Sequence, residues 1–470
     1  MYVNQFGDMK RIHFIGIGGI GMSGIAQVLF HNGYSVSGSD VASNNITTNL
    51  VDIGIHVYFE HSEANIASVD VVVVSSAIGP SNIELITAHE KNIPVLSRAE
   101  MLAELMRFKF GIAVSGTHGK TTTTSLIAHI FKVADLDPTY VIGGVVNSTA
   151  KNADLGKSEY LITEADESDA SFIALNPMIA VVTNIDNDHM ETYADSSELQ
   201  DRSFLDFIHK TPFYGNAVVC GDDPRIKLIL NDISRKFFTY GMESQNDLQA
   251  YNVEHYGLVT KFSVKRKKLP PLHITLNMPG RHNILNSLAA IAVATICKIP
   301  DVNICNALRS FSGIGRRFQI IGNYTHDDKN FAVIDDYGHH PTELEATIET
   351  ARTVYNNSKI TMVFQPHRYS RTKELWAGFV SALAKVDNLL LLDIYPGSES
   401  PIDGITSGNL VNDIQNKCKG TVIYTAEEDL CENLLDNVED NGVVLFQGAG
   451  SVSKICRILV ASLQNETAEL

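Results

Sequence analysis

The sequence predicts an α/β protein of three domains with largely parallel sheets. Two features carry that prediction. Short apolar strands alternate with amphipathic helices almost throughout the chain. In addition, three apolar runs end in a glycine turn that opens a helix, at Gly16–Gly21, Gly116–Gly119 and Gly448–Gly450. A length of 470 residues leaves room for about three domains, and the strand–helix pattern divides at 1–107, 108–314 and 315–470.

The first domain opens on the apolar strand Arg11–Ile15, and further strands are expected at Tyr34–Ser39, Asp70–Ser75 and Ile93–Leu96. Between the first two lies Gly16-Ile17-Gly18-Gly19-Ile20-Gly21, followed by a helix over Met22–Phe30. Strand, glycine turn and helix together make a diphosphate cradle, because N–H groups and the helix dipole at the helix start favour an anion. Gly16, Gly18, Gly19 and Gly21 are its candidate contacts, and Asp40 ends the second strand where a ribose-binding acid would sit. Alone, this turn fits a dinucleotide cofactor and a dehydrogenase as well as any other nucleotide diphosphate.

The central domain begins with the buried strand Phe110-Gly-Ile-Ala-Val114 and the run Ser115-Gly116-Thr117-His118-Gly119-Lys120-Thr121-Thr122. A helix follows from Ser125. This run looks built to hold the phosphates of a nucleotide: loop N–H groups face the anion, Lys120 bridges phosphate oxygens, and the hydroxyl of Thr121 suits Mg²⁺. The strict spacing would put glycine where Val114 stands, so the loop is a shortened one. Apolar strands at Tyr160–Thr163 and Ile179–Thr183 end in polar residues. Glu164 opens the acidic run Glu164-Ala-Asp-Glu-Ser-Asp169, and His189 closes Asn184-Ile-Asp-Asn-Asp-His189. Both are expected on the same edge of the sheet, on neighbouring strands, sharing a metal with Thr121. Helices are expected near Glu198–Lys210, His282–Cys297 and Val302–Phe311, and alternating residues over Tyr251–Leu276 predict antiparallel hairpins.

The third domain repeats the alternation, with strands near Phe331–Ile334, Ile360–Phe364, Asn388–Asp393, Thr421–Tyr424 and Val443–Gln447. Gly313-Ile-Gly-Arg-Arg317 reads as a hinge into it, with Arg316 and Arg317 suited to phosphate. Asp335-Asp-Tyr-Gly-His339-His340-Pro341 and Gln365-Pro-His367-Arg368-Tyr-Ser-Arg371 place acids, imidazoles and cations at two strand ends. Together these look like a site for an anionic substrate.

Composition narrows the class. Hydrophobic residues make up 44% and charged residues 19%, and 37 basic against 54 acidic side chains give a net charge of −17. No nucleic-acid surface is indicated, and an acidic enzyme with anionic substrates must gather its cations locally. The basic run Lys265-Arg-Lys-Lys268 reads as a solvated turn. Six cysteines stand singly, so neither a disulfide framework nor a zinc site is expected. No signal peptide and no run long enough for a bilayer are apparent, so a cytoplasmic protein without integral membrane association is expected.

These motifs, in this order, resemble the Mur ligase family, and His13–Ala26 resembles the opening of its alanine-adding branch. The resemblance spans nearly the whole chain. It implies a Rossmann-like N-terminal domain whose glycine turn holds a UDP-sugar, a P-loop ATPase-like central domain, and a Rossmann-like C-terminal domain. It implies ATP and Mg²⁺ as cofactors, with Glu164 and His189 at the metal, and UDP-N-acetylmuramate and L-alanine as substrates. On the same ground His282, Asn283 and Asn286 contact the nucleotide, and Arg316 or Arg317 lies near the ATP phosphates. His339, His340, His367, Arg368 and Arg371 form the C-terminal share of the active site. The implied reaction makes an acyl phosphate from the lactoyl carboxylate, which the amine of L-alanine then attacks. One departure stands out: several sister ligases bridge two Mg²⁺ ions with a carbamylated lysine, and here Glu198–Leu205 offers none before Lys210. A related ligase that attaches a ready-made tripeptide, and more remotely an NAD-dependent dehydrogenase, are the competing readings.

Overall fold

The computed structural model describes residues 6–146, 151–397 and 399–468. They form two compact units. One comprises Met1–Tyr251, Ser263–Ile274 and Leu285–Ser312; the other comprises Asn252–Phe262, Thr275–Ile284 and Gly313–Leu470. The architecture is α/β with three sheets, as the alternation of strands and helices requires.

The first sheet has five parallel strands in the order His56–Tyr58, Ser35–Ser39, Arg11–Ile15, Val71–Val74, Val95–Ser97. Of its central strands, Arg11–Ile15 and Val71–Val74 read as mostly apolar runs because helices cover both faces of a parallel sheet. Ile12, Phe14, Ile15, Val72 and Val73 are buried. The sheet order reverses at the first strand, which is where a doubly wound fold places its ligand crevice, and the glycine turn lies there.

The second sheet has ten strands. Its centre is Phe110–Ser115, flanked in parallel by Tyr160–Glu164 on one side and Ile179–Val182 on the other. Glu164 pairs with Val114, and Val182 pairs with Ser115. The expectation that Glu164 and His189 close neighbouring strands is therefore corrected: the phosphate-loop strand lies between theirs. Beyond Ile179–Val182 come Asn216–Cys220 and Phe237–Gly241, both parallel, and then Leu248–Tyr256, Val259–Arg266 and Leu269–Leu276. These last three are joined by the two-residue turns 257–258 and 267–268, and such short links join antiparallel neighbours only. At the other edge, Thr139–Val146 pairs antiparallel with Lys151–Asp154. The helix Ile20–His31 of the first domain packs on this hairpin. A Cβ on its Gly24 would lie 3.1 Å from both Val141 and Ala153, so glycine permits the close approach.

The basic run 265–268 departs from its expected role. Lys267 and Lys268 do form a turn, but Arg266 is buried and paired with Asp301 at 2.7 Å, and it also donates to the Pro270 carbonyl. The alternation that identified the hairpins put Arg266 on the inward face, where a partner compensates its charge.

In the second unit, six strands run Gln319–His326, Lys329–Asp336, Gly442–Gln447, Ile360–Phe364, Asn388–Leu391, Thr421–Tyr424. All neighbours are parallel except the first pair. Apolar clusters cover both faces, one around Ile334, Phe364, Phe379 and Leu445, the other around Val333, Phe446, Leu434 and Leu459. Asp336, Phe364 and Gln447 end adjacent strands and bring the polar loops to one edge.

Candidate active site

Three clusters of polar residues stand at the C-terminal ends of strands. In the first, the glycine turn folds against the second strand of its sheet. The N–H groups of Gly16 and Ile17 donate to the Ser39 carbonyl at 2.8 and 3.0 Å. Gly16 has φ +81°, and a Cβ on Gly18 would meet Asp40 Oδ2 at 2.8 Å. Asp40 Oδ2 accepts the Gly18 N–H at 2.8 Å, and its Oδ1 accepts from Ala42. The acid expected at a ribose thus holds the turn itself. Gly19 is the N-cap of the helix, with no side-chain cap, and Gly21 lies against Arg98.

Below the turn lies a buried network that sequence inspection missed. Glu84 accepts from Ser39 Oγ at 2.5 Å and from Asn65 Nδ2 at 2.6 Å, and bonds His61 Nδ1 at 2.9 Å. His13 Nε2 lies 3.6 Å away. Burial opposes the charge on Glu84, but these partners outweigh it and hold its pKa at about 2. The only sequence signal was polar residues at apolar positions of strand and helix.

The second cluster is the phosphate loop. Gly116 has φ +128° and Gly119 φ +80°, both in the left-handed region. A Cβ on either would strike Thr183 Oγ1 or Asn286 Oδ1, so the cradle admits glycine alone. The helix Lys120–Val133 starts at Gly119 without a side-chain cap, leaving its first N–H groups to an anion. Lys120 Nζ donates to the Gly116 and Thr117 carbonyls at 2.8 and 3.1 Å, and to Glu167 at 2.8 Å. The ammonium is thereby folded over the loop. Burial would lower its pKa, but the charges of Glu167, Asp166 and Glu164 raise it. Burial likewise pushes the Glu167 carboxyl up to about 7, against the pull of Lys120.

The loop is clamped from the neighbouring strand end. His118 N–H donates to Asn184 Oδ1 at 2.8 Å, and His118 Nε2 lies 3.0 Å from Asp186 Oδ2. Asp186 N–H donates to Thr117 Oγ1 at 2.9 Å. Thr123 Oγ1 donates to Asn286 Oδ1 at 3.3 Å, which places that asparagine against the helix start. Thr121 and Thr122 follow Lys120 in the first turn.

Glu164 ends its strand beside the loop and accepts the Gly143 N–H at 2.8 Å. His189 stands on the other side with φ +54°, its Nε2 3.6 Å from Asp188 Oδ2. The residues fit a divalent cation on grounds of charge. Glu164, Asp166 and Glu167 all act on Lys120, with Arg98 3.5 Å from Asp166, so the set offers three carboxyl groups against two cations. Among these, Asp166, Glu167, Asp186 and Asn184 were not singled out from sequence, although the acidic density of 164–169 was the signal. The helix Ser197–His209 has Gln200, Phe204, Phe207 and Ile208 on its buried face and no lysine, in keeping with the sequence departure.

The third cluster lies in the other unit. Tyr337 sits against two guanidiniums, Arg316 at 4.8 Å and Arg317 at 5.2 Å from its ring centre. Arg316 has φ +60° and donates to the Gly448 carbonyl at 2.6 Å, and Arg317 lies 3.5 Å from Glu343. Asp336 is buried and structural: it accepts from Phe318 and Gly338 N–H groups and from Gln447. His340 is the N-cap of Pro341–Val354, with Glu343 completing the capping box. His339, by contrast, faces His367 across 5.9 Å between ring centres. His367 stacks on Tyr395 at 5.5 Å, and its Nδ1 is 3.3 Å from Arg371 Nη1. Because a guanidinium can only donate, that Nδ1 carries the lone pair and Nε2 the proton. Arg368 is held by Glu399 at 2.5 Å in a left-handed conformation, φ +72°. His282 is half-buried beside Arg317, and desolvation pushes its pKa down to about 4, so its ring is neutral near pH 7. Asn283 donates to the Pro279 carbonyl at 2.7 Å and closes the Pro-Gly turn.

Comparison with known proteins agrees with this arrangement. Residues 11–110 match the model described as Mur ligase family, catalytic domain; 114–294 match the Mur ligase middle domain; 316–450 match the Mur ligase, glutamate ligase domain. The chain is similar to the UDP-N-acetylmuramate–alanine ligase MurC of Thermotoga maritima, at 29% identity and TM-score 0.81, covering 97% of this chain and 100% of that one. It also shares its fold with a murein peptide ligase of Psychrobacter arcticus, at 23% identity and TM-score 0.70 over 97% and 99% of the two chains. A MurF ligase of Thermotoga maritima in complex with ADP shares it at 17% identity and TM-score 0.63, over 92% and 96%. The chain belongs to the Mur ligase family.

Proposed function

We propose that the protein is an ATP-dependent ligase that joins L-alanine to the lactoyl carboxylate of UDP-N-acetylmuramate, a step of peptidoglycan precursor synthesis in the cytoplasm. The observation that carries the ATP-dependent part is Lys120, held over a glycine cradle that no other residue could form. The likeness to the alanine ligase over the full length of both chains supports the substrate assignment.

In this reading, residues 1–107 hold the UDP-sugar, 108–314 the ATP, and 315–470 the amino acid. The sugar's carboxylate attacks the γ-phosphorus, giving an acyl phosphate and ADP. The amine then attacks the acyl carbon, and the tetrahedral intermediate expels phosphate. Phosphorylation is needed because a carboxylate is a poor acceptor for an amine. Lys120 and the loop N–H groups act where charge develops on the transferring phosphoryl group, and their fixed positions avoid reorganisation during reaction. Thr121, Glu164 and His189 would hold Mg²⁺, which offsets charge on the phosphates. Arg371, with His367 and His339, is suited to the substrate carboxylate. Arg368 is neutralised by Glu399 and is better suited to shaping that pocket.

Phosphate release in a panel of acceptors tests the proposal. It should require ATP, UDP-N-acetylmuramate and L-alanine together, with glycine poorer by about 10- to 200-fold for want of the methyl group. A tripeptide acting better than L-alanine would make the protein a recycling ligase, and NAD binding in place of the UDP-sugar would remove the ligase assignment.

A further inference from the structure

Behind the His189 loop stands a pair of side chains that no motif contains. Gln200, on the helix Ser197–His209, is fully buried. Its Nε2 donates to the backbone carbonyls of Asp186 at 3.0 Å and Asp188 at 3.3 Å, on either side of Asn187. Its Oε1 accepts from Arg225 Nη1 at 2.6 Å. The same nitrogen of Arg225 reaches Asn187 Oδ1 at 3.1 Å. The other, Nη2, donates to the Ser197 carbonyl at 2.8 Å and lies 2.6 Å from Asp201 Oδ1. Arg225 in turn sits on a short helix capped by Asp223, whose Oδ2 is 3.5 Å from the Ile185 N–H.

The loop held in this way carries two tasks. Asp186 fixes the phosphate loop through His118 and Thr117. His189, three residues on, has a left-handed backbone, as do Ala194 and Asp195. Left-handed non-glycine residues persist only where the surroundings over-determine them. Hydrogen bonds within the loop are short-range: Asp188 N–H to Asp186 O and His189 N–H to Asp188 Oδ1, both at 3.0 Å. The amide of Gln200 ties both ends of that turn to a rigid helix, and Arg225 fixes the amide's orientation by occupying its oxygen.

We propose that Arg225 and Gln200 are positioning residues that set the conformation of the Asp186–His189 loop, and so the affinity for the divalent cation, without touching any substrate. The inference rests on the reading of His189 as a metal-associated residue. Partners of this kind, one step removed from a metal, typically change its affinity by about 10- to 100-fold.

The test uses the full chain with ADP and Mn²⁺ as the probe, counting free ion by electron paramagnetic resonance, beside the Mg²⁺ dependence of turnover. Arg225→Lys keeps a cation for Asp201 but cannot bridge Gln200, Asn187 and the Ser197 carbonyl at once; Gln200→Leu removes the amide at similar volume. Both should weaken Mn²⁺ binding about tenfold and raise the Mg²⁺ requirement in parallel, with UDP-sugar KM within twofold of the parent. Unchanged Mn²⁺ curves in both variants, with His189→Ala weakened, would overturn the positioning role alone. An unchanged His189→Ala would overturn the metal reading beneath it. If the variants melt early and lose UDP-sugar affinity as well, the network serves the stability of the domain and the proposal also falls.

Discussion

Two turns in the first unit use the same backbone logic, and the proposed function gives them different chemistry. At Gly16–Gly21 and at Gly116–Lys120 a buried parallel strand ends in left-handed glycine and a helix begins without a side-chain cap. Each therefore offers N–H groups and a helix dipole to phosphate. What differs is the charge around them. The first turn has Asp40, hydrogen-bonded to the turn itself, and the side chain of Arg98 against Gly21. The second has an ammonium folded over the loop and three carboxylates acting on it. On the proposed function the first cradle would hold a diphosphate, and the second, with Lys120 fixed over it, would also stabilise a phosphoryl group in transfer. On that proposal backbone shape would set where phosphate sits, and the side-chain charges would decide whether it reacts.

The largest effect should come from removing that charge. Lys120→Ala is expected to lower turnover by about 10²-fold or more while the fold, read by circular dichroism, persists. Near-normal turnover would erase the difference between the turns. Glu164→Gln and His189→Ala should each raise the Mg²⁺ requirement by roughly tenfold or more, measured as activity against Mg²⁺ concentration. Identical curves for both would show that the acids around Lys120 serve only the lysine.

At the first turn, Gly18→Ala places a methyl within 2.8 Å of Asp40 Oδ2. The expected outcome is about a tenfold rise in KM for the UDP-sugar, the low end of the overpacking cost, with KM for ATP unchanged. Equal changes in both constants would mean that the turns are not separate sites. The smallest effect on turnover is expected from Glu84→Gln beneath that turn. Glu84 is held at about 2, below its ordinary 4.5, so it binds its proton less readily in the folded protein. Its contribution is fully present above pH 4.5 and is lost as pH falls toward 2. The shift corresponds to roughly 3 kcal/mol as an upper figure. Turnover at neutral pH should stay within about twofold, while acid unfolding of the parent becomes shallower between pH 4.5 and 2 in the variant.

How much of this was legible in the sequence follows from how local each signal is. The glycine turns, Lys120 and the strand ends at Glu164, Asp336 and Gln365 come from contiguous motifs, and their places hold in the structure. Strands without a motif were harder. Gln319–His326 has no fully buried residue on an edge and shows no long apolar run, and Thr139–Val146 carries two glycines. The strand order was beyond reach because pairing is non-local, hence the misplaced neighbours Glu164 and His189. Arg266 was misread because a buried guanidinium depends on Asp301, 35 residues away. The Lys120–Glu167 and Arg225–Gln200 pairs were invisible for the same reason, joining residues 47 and 25 apart.

The division of labour between the turns is tested most directly by calorimetric titration of UDP-N-acetylmuramate and of NAD into the parent protein and Lys120→Ala. The UDP-sugar should bind both proteins with affinities within about twofold, and NAD should show no measurable binding to either. Tighter binding of NAD, or loss of the UDP-sugar from Lys120→Ala, would contradict the assignment of one turn to the sugar nucleotide and the other to phosphoryl transfer.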